Sequence, residues 1–168
     1  MTTFTETPLH ISTLLGHLDF TKILLTQNPR LAVELDSHKH CPLHLASSED
    51  HVEIVQELLT IYEDACLFYD QNGRIPLHYA AMRGRVEVVE KLIVARPDSV
   101  RVVLDVNEIV LHLCVKYNQL KALDLLVKSL SDDGDFLNFK TSDDGNTILH
   151  LVVMQKLIEV AFYLFIDR

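Results

Sequence analysis

Tryptophan is absent from this 168-residue chain, glycine and proline occur five times each, and cysteine occurs three times. The scarcity of glycine excludes a glycine-rich phosphate loop, and we find no nucleophile elbow either. Cys41, Cys66 and Cys114 are odd in number and form no CxxC pair, so they predict neither a disulfide framework nor a zinc site. We therefore expect reduced thiols and a cytoplasmic location.

Long apolar runs and an excess of basic residues are also missing. No apolar stretch reaches the roughly 18 residues that span a bilayer, so we expect no direct membrane insertion by this chain. The 24 acidic residues outnumber 15 basic ones and give a net charge of −9. Because phosphate binding depends on clustered lysine and arginine, we exclude nucleic acid as a partner. The acidic run at 132–135 lacks the glutamate-terminated loop of an EF-hand, which favours a solvated loop.

A Leu-His pair recurs at the start of five helical patterns, with the histidines at His10, His44, His78, His112 and His150. The first four pairs are equally spaced along the chain, and the last interval is slightly longer. A turn position follows shortly after each histidine, and then a second, amphipathic helical pattern begins. A fixed period of this length predicts a stack of similar helix-turn-helix units.

The motifs Thr7-Pro8-Leu9-His10, Cys41-Pro42-Leu43-His44 and Ile75-Pro76-Leu77-His78 resemble the ankyrin repeat. The resemblance implies an all-α ankyrin-repeat solenoid of about five helix-turn-helix repeats with short hairpin loops. We predict a single domain, 1–168, with repeats at approximately 1–35, 36–69, 70–103, 104–141 and 142–168, the last one incomplete. Cys41, Ile75 and Ile109 replace the capping threonine, so packing should hold their helices more than capping does.

Proline also replaces the Gly-Ala that follows the second helix in most ankyrin repeats, in Asn28-Pro29-Arg30 and Arg96-Pro97-Asp98. With Gly145-Asn146-Thr147-Ile148-Leu149-His150, these motifs are similar to the N-terminal ankyrin array of plant membrane-associated proteins that end in a Pro-Gly-Gly domain. The resemblance implies defence or stress signalling at the cytosolic face of a membrane. The chain departs from that family because it lacks the Pro-Gly-Gly domain and stops inside repeat five.

Ankyrin arrays usually bind partners on the concave side, which is formed by hairpin tips and first helices. The equivalent positions of this sequence, found from the repeat register, are the candidate partner-binding residues: Arg74, Met82, Arg83, Lys116, Tyr117, Asn72, His38, His40, Glu108 and Asn146. The first five form its expected centre, since arginine and tyrosine are enriched at hot spots. We expect a partner protein that presents an acidic or extended segment; the alternative is that these are ordinary solvated residues.

The nine histidines raise the question of metal binding or catalysis. The five repeat histidines are expected to hydrogen-bond the turn backbone between neighbouring repeats. His38, Cys41 and His44, with His40 beside them, form the only set that resembles metal ligands, yet their spacing repeats the ankyrin frame. We therefore expect no enzyme, no cofactor and no metal. The alternative function is a cytosolic sensor domain of a membrane protein whose transmembrane part is absent from this sequence.

The ends and one internal position deviate from a regular array. Residues 160–166 are apolar on every side of the helix pattern, which predicts self-association through uncapped terminal repeats. Val152 replaces a small residue, so its extra methyl groups are expected to strain the packing by about 1 kcal/mol. Asn107 replaces a turn glycine and can adopt positive φ at modest cost.

Overall fold

The computed structural model describes residues 6–105, 107–130, 138–141 and 144–157. Nine α-helices lie within these ranges, eight of them as four pairs of a first and a second helix, followed by a further first helix. The helices are α1 Pro8–Leu15, α2 Leu18–Gln27, α3 Pro42–Glu49, α4 Val52–Ile61, α5 Pro76–Arg83, α6 Val86–Ala95, α7 Val110–Lys116, α8 Leu120–Ser129 and α9 Ile148–Met154. The all-α repeat architecture expected from the regular spacing of the Leu-His pairs is thereby confirmed.

Each first helix begins and ends for local reasons. Proline occupies the first turn of α1, α3 and α5, where a backbone N–H has no partner to lose. Five residues shortly after the first helices adopt the left-handed conformation: Gly16, Asp50, Gly84, Asn118 and Lys156, with φ of 77°, 69°, 69°, 56° and 60°. The first four of them turn the chain into a second helix. The last of the five is a lysine, a residue type for which the left-handed region is uncommon.

The second helices lead into short 3₁₀ helices at Pro29–Val33, Glu63–Leu67 and Pro97–Arg101. The Asn-Pro and Arg-Pro motifs of the sequence therefore each start a 3₁₀ helix. The chain then forms a hairpin and returns to the next first helix. Among the described residues, an isolated antiparallel bridge joins Val103 to Ile109 in the fourth hairpin.

One continuous apolar core runs through the stack. The leucine before each repeat histidine is almost completely buried at Leu9, Leu43, Leu77 and Leu111. Cys41, Ile75 and Ile109 have no side-chain capping bond and are 0% exposed, so their side chains act as core residues. The three cysteines are buried free thiols. Val152 is likewise 0% exposed; the strain predicted there stays a prediction.

Candidate functional site

The first helices and the hairpins form one side of the stack. Consecutive first helices contact each other more extensively than consecutive second helices do. Because neighbouring repeats approach each other more closely at the first helices, we assign the first-helix side as the concave side of the stack. The hairpins extend from the same side, since each of them leads directly into a first helix.

All ten sequence-predicted binding residues lie on these two features. Six are in hairpins: His38, His40, Asn72, Arg74, Glu108 and Asn146. Four lie at the C-terminal ends of first helices: Met82 and Arg83 in α5, Lys116 in α7, and Tyr117 directly after α7. Of these four, Met82 is half-buried, whereas Arg83, Lys116 and Tyr117 are exposed. Among the six hairpin residues, His38 and Asn72 are exposed as well, so accessible side chains are present on both features.

Two of the predicted basic residues already have acidic partners within the chain. Arg83 contacts Glu49 of the preceding repeat, with Nη1 2.8 Å from Oε1. Lys116 contacts Glu108 of its own repeat, with Nζ 3.1 Å from Oε1. The face is therefore a row of ion pairs and not a basic patch. Exposed pairs of this kind contribute little stability, which leaves their charges available for exchange with a partner.

A cavity of about 270 Å³ opens between repeats four and five. Its lining includes three of the predicted residues, Glu108, Lys116 and Asn146. Leu151 and Gln155 of the next repeat complete one wall. The Glu108–Lys116 ion pair thus borders a concave space large enough for a side chain of a bound protein.

Aspartates fold the second and third hairpin tips in the same way. Asp36 Oδ1 accepts hydrogen bonds from the backbone N–H groups of His38 and His40, both at 2.8 Å. Asp70 Oδ1 accepts equivalent bonds from Asn72 and Arg74, both at 2.8 Å. The two aspartates hold the same register position in consecutive repeats. Each aspartate therefore bonds the backbone of its own hairpin tip, and the Gln71 N–H adds a bond from the third tip to the His38 carbonyl oxygen of the second, at 3.0 Å.

His40 connects the two hairpins. Its Nδ1 lies 3.2 Å from Oδ2 of Asp36, and its Nε2 lies 3.2 Å from the hydroxyl of Tyr79 and 3.5 Å from Oδ2 of Asp70. The Tyr79 hydroxyl donates a short hydrogen bond to the same Asp70 oxygen. The imidazole therefore lies between two carboxylates that belong to different repeats.

Hydrogen bonding controls the charge of these carboxylates. Burial raises the pKa of Asp36, but the bonds from the backbone N–H groups of His40 and His38 outweigh it and hold the pKa below its usual range. Burial likewise opposes ionisation of Asp70, yet bonds from Tyr79, Arg74 and Asn72 lower its pKa. Burial and the bond to Asp70 raise the pKa of Tyr79 to about 12. Both aspartates are therefore anionic at neutral pH.

The cluster that resembles a ligand set in the sequence, His38, Cys41 and His44, does not come together as one. Cys41 Sγ lies 3.1 Å from His44 Nδ1, and both side chains belong to the core. Burial raises the pKa of the Cys41 thiol to about 11, which makes it a poor thiolate. The structure instead groups Asp36 with His38 and His40, whose ligand atoms all lie within 4.8 Å of one another.

Sequence reasoning missed Asp36, Asp70 and Tyr79. A signal for the two aspartates was present, since they recur at the repeat period just before each hairpin tip. No local pattern identifies Tyr79, because its contacts with Asp70 of its own repeat and His40 of the preceding repeat form only when the chain folds. The acidic run at 132–135 and the apolar segment 160–166 lie outside the described residues.

Comparison with known proteins agrees with the geometry. The family model described as "Ankyrin repeats (3 copies)" matches residues 1–68, 38–101, 61–136 and 77–168, which together cover the whole chain. No curated protein matches the chain at a significant level. No helix in the described part of the chain is long and apolar enough to cross a membrane.

Proposed function

The chain belongs to the ankyrin-repeat family, whose members are protein–protein interaction modules and not enzymes, and from this we propose that it binds a partner protein on its concave face. The proposed centre of the binding surface is Arg74, Met82, Arg83, Lys116 and Tyr117, and its rim is Asn72, His38, His40, Glu108 and Asn146. The observation that carries the proposal is the cavity of about 270 Å³ bordered by the Glu108–Lys116 ion pair.

The partner is an extended segment that carries carboxylates. The side chains of Arg83 and Lys116 are each more than half exposed to solvent, so carboxylates of a partner can reach both of them. Such a partner has to compete with Glu49 and Glu108 for the same cations. Because the competition exchanges one exposed ion pair for another, most of the binding free energy must come from Tyr117, Met82 and the filled cavity.

Affinity capture tests this assignment. The wild-type chain is compared with the triple variant Arg74→Ala, Arg83→Ala, Tyr117→Ala. The matched control is Arg30→Ala, Lys121→Ala, Tyr62→Ala, which removes two cations and a tyrosine of the same exposure, 43%, from elsewhere on the stack. A partner retained by wild type and control but lost by the triple variant supports the proposed face. Equal capture by all three proteins, with unchanged thermal unfolding, contradicts it.

The biological setting follows from the sequence resemblance alone. The proline motifs after the second helices support a place among plant ankyrin proteins of stress or defence signalling, located in the cytoplasm or at the cytosolic face of a membrane. A regulatory sensor domain of a membrane protein is the alternative function. The coding sequence of the intact gene separates the two: transmembrane helices encoded after Arg168 favour the sensor, and a stop codon there favours a free adaptor.

A further inference from the structure

We propose that Asp36, His38 and His40 form a binding site for a divalent cation of the zinc class at the tip of the second hairpin. The site shares His38 and His40 with the rim of the partner-binding face proposed above, but its argument does not rest on that function. It replaces the sequence-based expectation of no metal, which considered Cys41 and His44 as ligands and did not consider Asp36.

The neighbours of His40 determine which of its ring nitrogens carries the proton. The proton of the Tyr79 hydroxyl is committed to Asp70, so the tyrosine oxygen at 3.2 Å acts as an acceptor toward His40 Nε2. Asp70 Oδ2, at 3.5 Å, is an acceptor as well. His40 Nε2 must therefore carry the ring proton of the neutral imidazole.

That tautomer leaves a lone pair on Nδ1, which faces the Asp36 carboxylate. Nδ1 and Oδ2 of Asp36 are 3.2 Å apart, and two acceptors at this distance repel unless a positive charge lies between them. The charge is supplied either by a second proton on His40 or by a metal ion. Ligand atoms that each lie about 2.1 Å from one metal are about 3.0 to 3.4 Å apart in octahedral or tetrahedral geometry, which matches the observed distance.

The surroundings of the three residues are those of a supported metal site. Asp36 uses Oδ1 for two backbone N–H groups, so Oδ2 stays available to a cation. His40 donates through Nε2 toward Asp70, whose side chain is 0% exposed, and a carboxylate behind a ligating histidine fixes the ring and raises its basicity. His38 stacks on His40 with ring centroids 5.6 Å apart and supplies the third ligand from solvent.

The donor set selects the type of metal. Two imidazoles and one carboxylate suit zinc and similar divalent transition metals, whereas calcium and magnesium prefer oxygen ligands. Thiols do not compete, because all three cysteines are buried. Three ligands leave a fourth coordination position toward solvent beside the exposed His38, which a water molecule can fill.

Isothermal titration of tag-free protein with Zn²⁺ tests the site. We expect one equivalent of Zn²⁺ to bind to the wild type. Asp36→Asn keeps the acceptor for the hairpin backbone but removes the charged ligand, and His38→Ala removes a ligand that supports nothing else in the core. Each is expected to weaken binding by at least about tenfold. The control His17→Ala removes an exposed histidine that makes no capping bond, and it should bind Zn²⁺ as the wild type does.

Two further measurements test the same three residues. Asp70→Asn, checked for folding by circular dichroism, should weaken Zn²⁺ binding by about 10- to 100-fold through His40, an effect that a purely structural Asp70 would not have. In NMR spectra the ring signals of His38 and His40 should shift on Zn²⁺ addition while that of His17 stays in place. Absence of saturable binding by the wild type, or equal loss in His17→Ala and His38→Ala, would overturn the site.

Discussion

Histidines at one register position of the repeat have different environments. Nε2 of His10 lies 3.0 Å from the carbonyl oxygen of His40, and Nε2 of His44 lies 3.2 Å from that of Arg74, so both bond the next hairpin as the sequence predicted. Nε2 of His78 and of His112 is buried and makes no hydrogen bond of standard geometry among the described residues, although the backbone of Val102 lies near enough to His78 to oppose the lowering of its pKa. Nδ1 accepts the N–H of the residue before the helix in every case described, including His150. The shared role of this histidine is thus local.

His78 should make the stability of the fold depend on pH. Burial, with the nearby charge of Arg74, lowers the pKa of His78 from 6.5 to about 4. Because the unfolded chain binds a proton below about pH 6.5 and the folded chain does not, the free energy of unfolding falls as the pH decreases from 6.5 to 4. The slope is about 1.4 kcal/mol per pH unit, or roughly 3 kcal/mol over the whole interval. Above pH 6.5 this residue contributes no pH dependence.

Urea unfolding of the wild type and of His78→Gln between pH 4.5 and 7.5 checks this expectation. The glutamine retains an acceptor for the Ile75 N–H, which lies 3.1 Å from His78 Nδ1, and it has no titrating proton. In the variant, the slope of the unfolding free energy against pH should correspond to about one proton fewer than in the wild type. His44 and the carboxylates titrate in both proteins and so do not affect the difference. Parallel curves for the two proteins would show that His78 is not buried in its neutral form.

Hairpins differ from one repeat to the next more than helices do. Asp36 and Asp70 each bond two backbone N–H groups, whereas the corresponding residue of repeat four is Leu104, which is 7% exposed and packs into the core. In repeat five the hydroxyl of Thr141 accepts a bond from the Asn146 N–H at 3.1 Å. The hairpins are therefore held by different interactions in different repeats, whereas the helices share one frame.

Substitution of Asp70 should weaken the third hairpin in a graded way. Asp70→Ala removes acceptors for two backbone N–H groups and the Tyr79 hydroxyl, so we expect a loss of about 2 to 4 kcal/mol in unfolding free energy. Asp70→Asn keeps an oxygen for the backbone and should lose less than half of that. Urea unfolding gives the two values, and hydrogen exchange should locate the loss at Asn72 and Arg74. Equal costs would show that charge, not the backbone bonds, dominates.

The sequence predicted the helices well because their signals are local and repeat. Proline at the first turn and a left-handed residue at the end bound α1, α3 and α5, and Asn107 takes φ of 56° as predicted for a glycine substitute. The pairing of hairpins was not predictable, because His40, Asp70 and Tyr79 meet only after repeats two and three stack. The same reason explains why the ion pair between Arg83 and Glu49 was not predicted.

At the scale of the whole molecule, the first repeat exposes apolar side chains at a position that stacking buries in the later repeats. Phe20 in α2 is 49% exposed, whereas the residues at the same register position of the next three repeats, Ile54, Val88 and Ala122, are 2%, 0% and 0% exposed. Ile11, Leu15 and Ile23 are also exposed around Phe20. This surface has the register of the internal repeat-to-repeat interface, so a repeat of a second copy is chemically suited to cover it.

Self-association through this surface is therefore the expected behaviour of the isolated chain at high concentration. Phe20→Lys places a charge in the contact and should shift sedimentation velocity profiles toward monomer, at a stability cost below about 1 kcal/mol because the side chain is already half in water. The control is Val94→Lys, which adds the same charge at a position 76% exposed on α6 and should leave association unchanged.

A wild type that stays monomeric at all concentrations would mean that the exposed apolar surface of repeat one is too small to hold a second copy, because association must offset the loss of translational and rotational freedom. Equal shifts in both variants would instead attribute the effect to net charge, since each substitution reduces the net negative charge of the chain and changes its long-range repulsion.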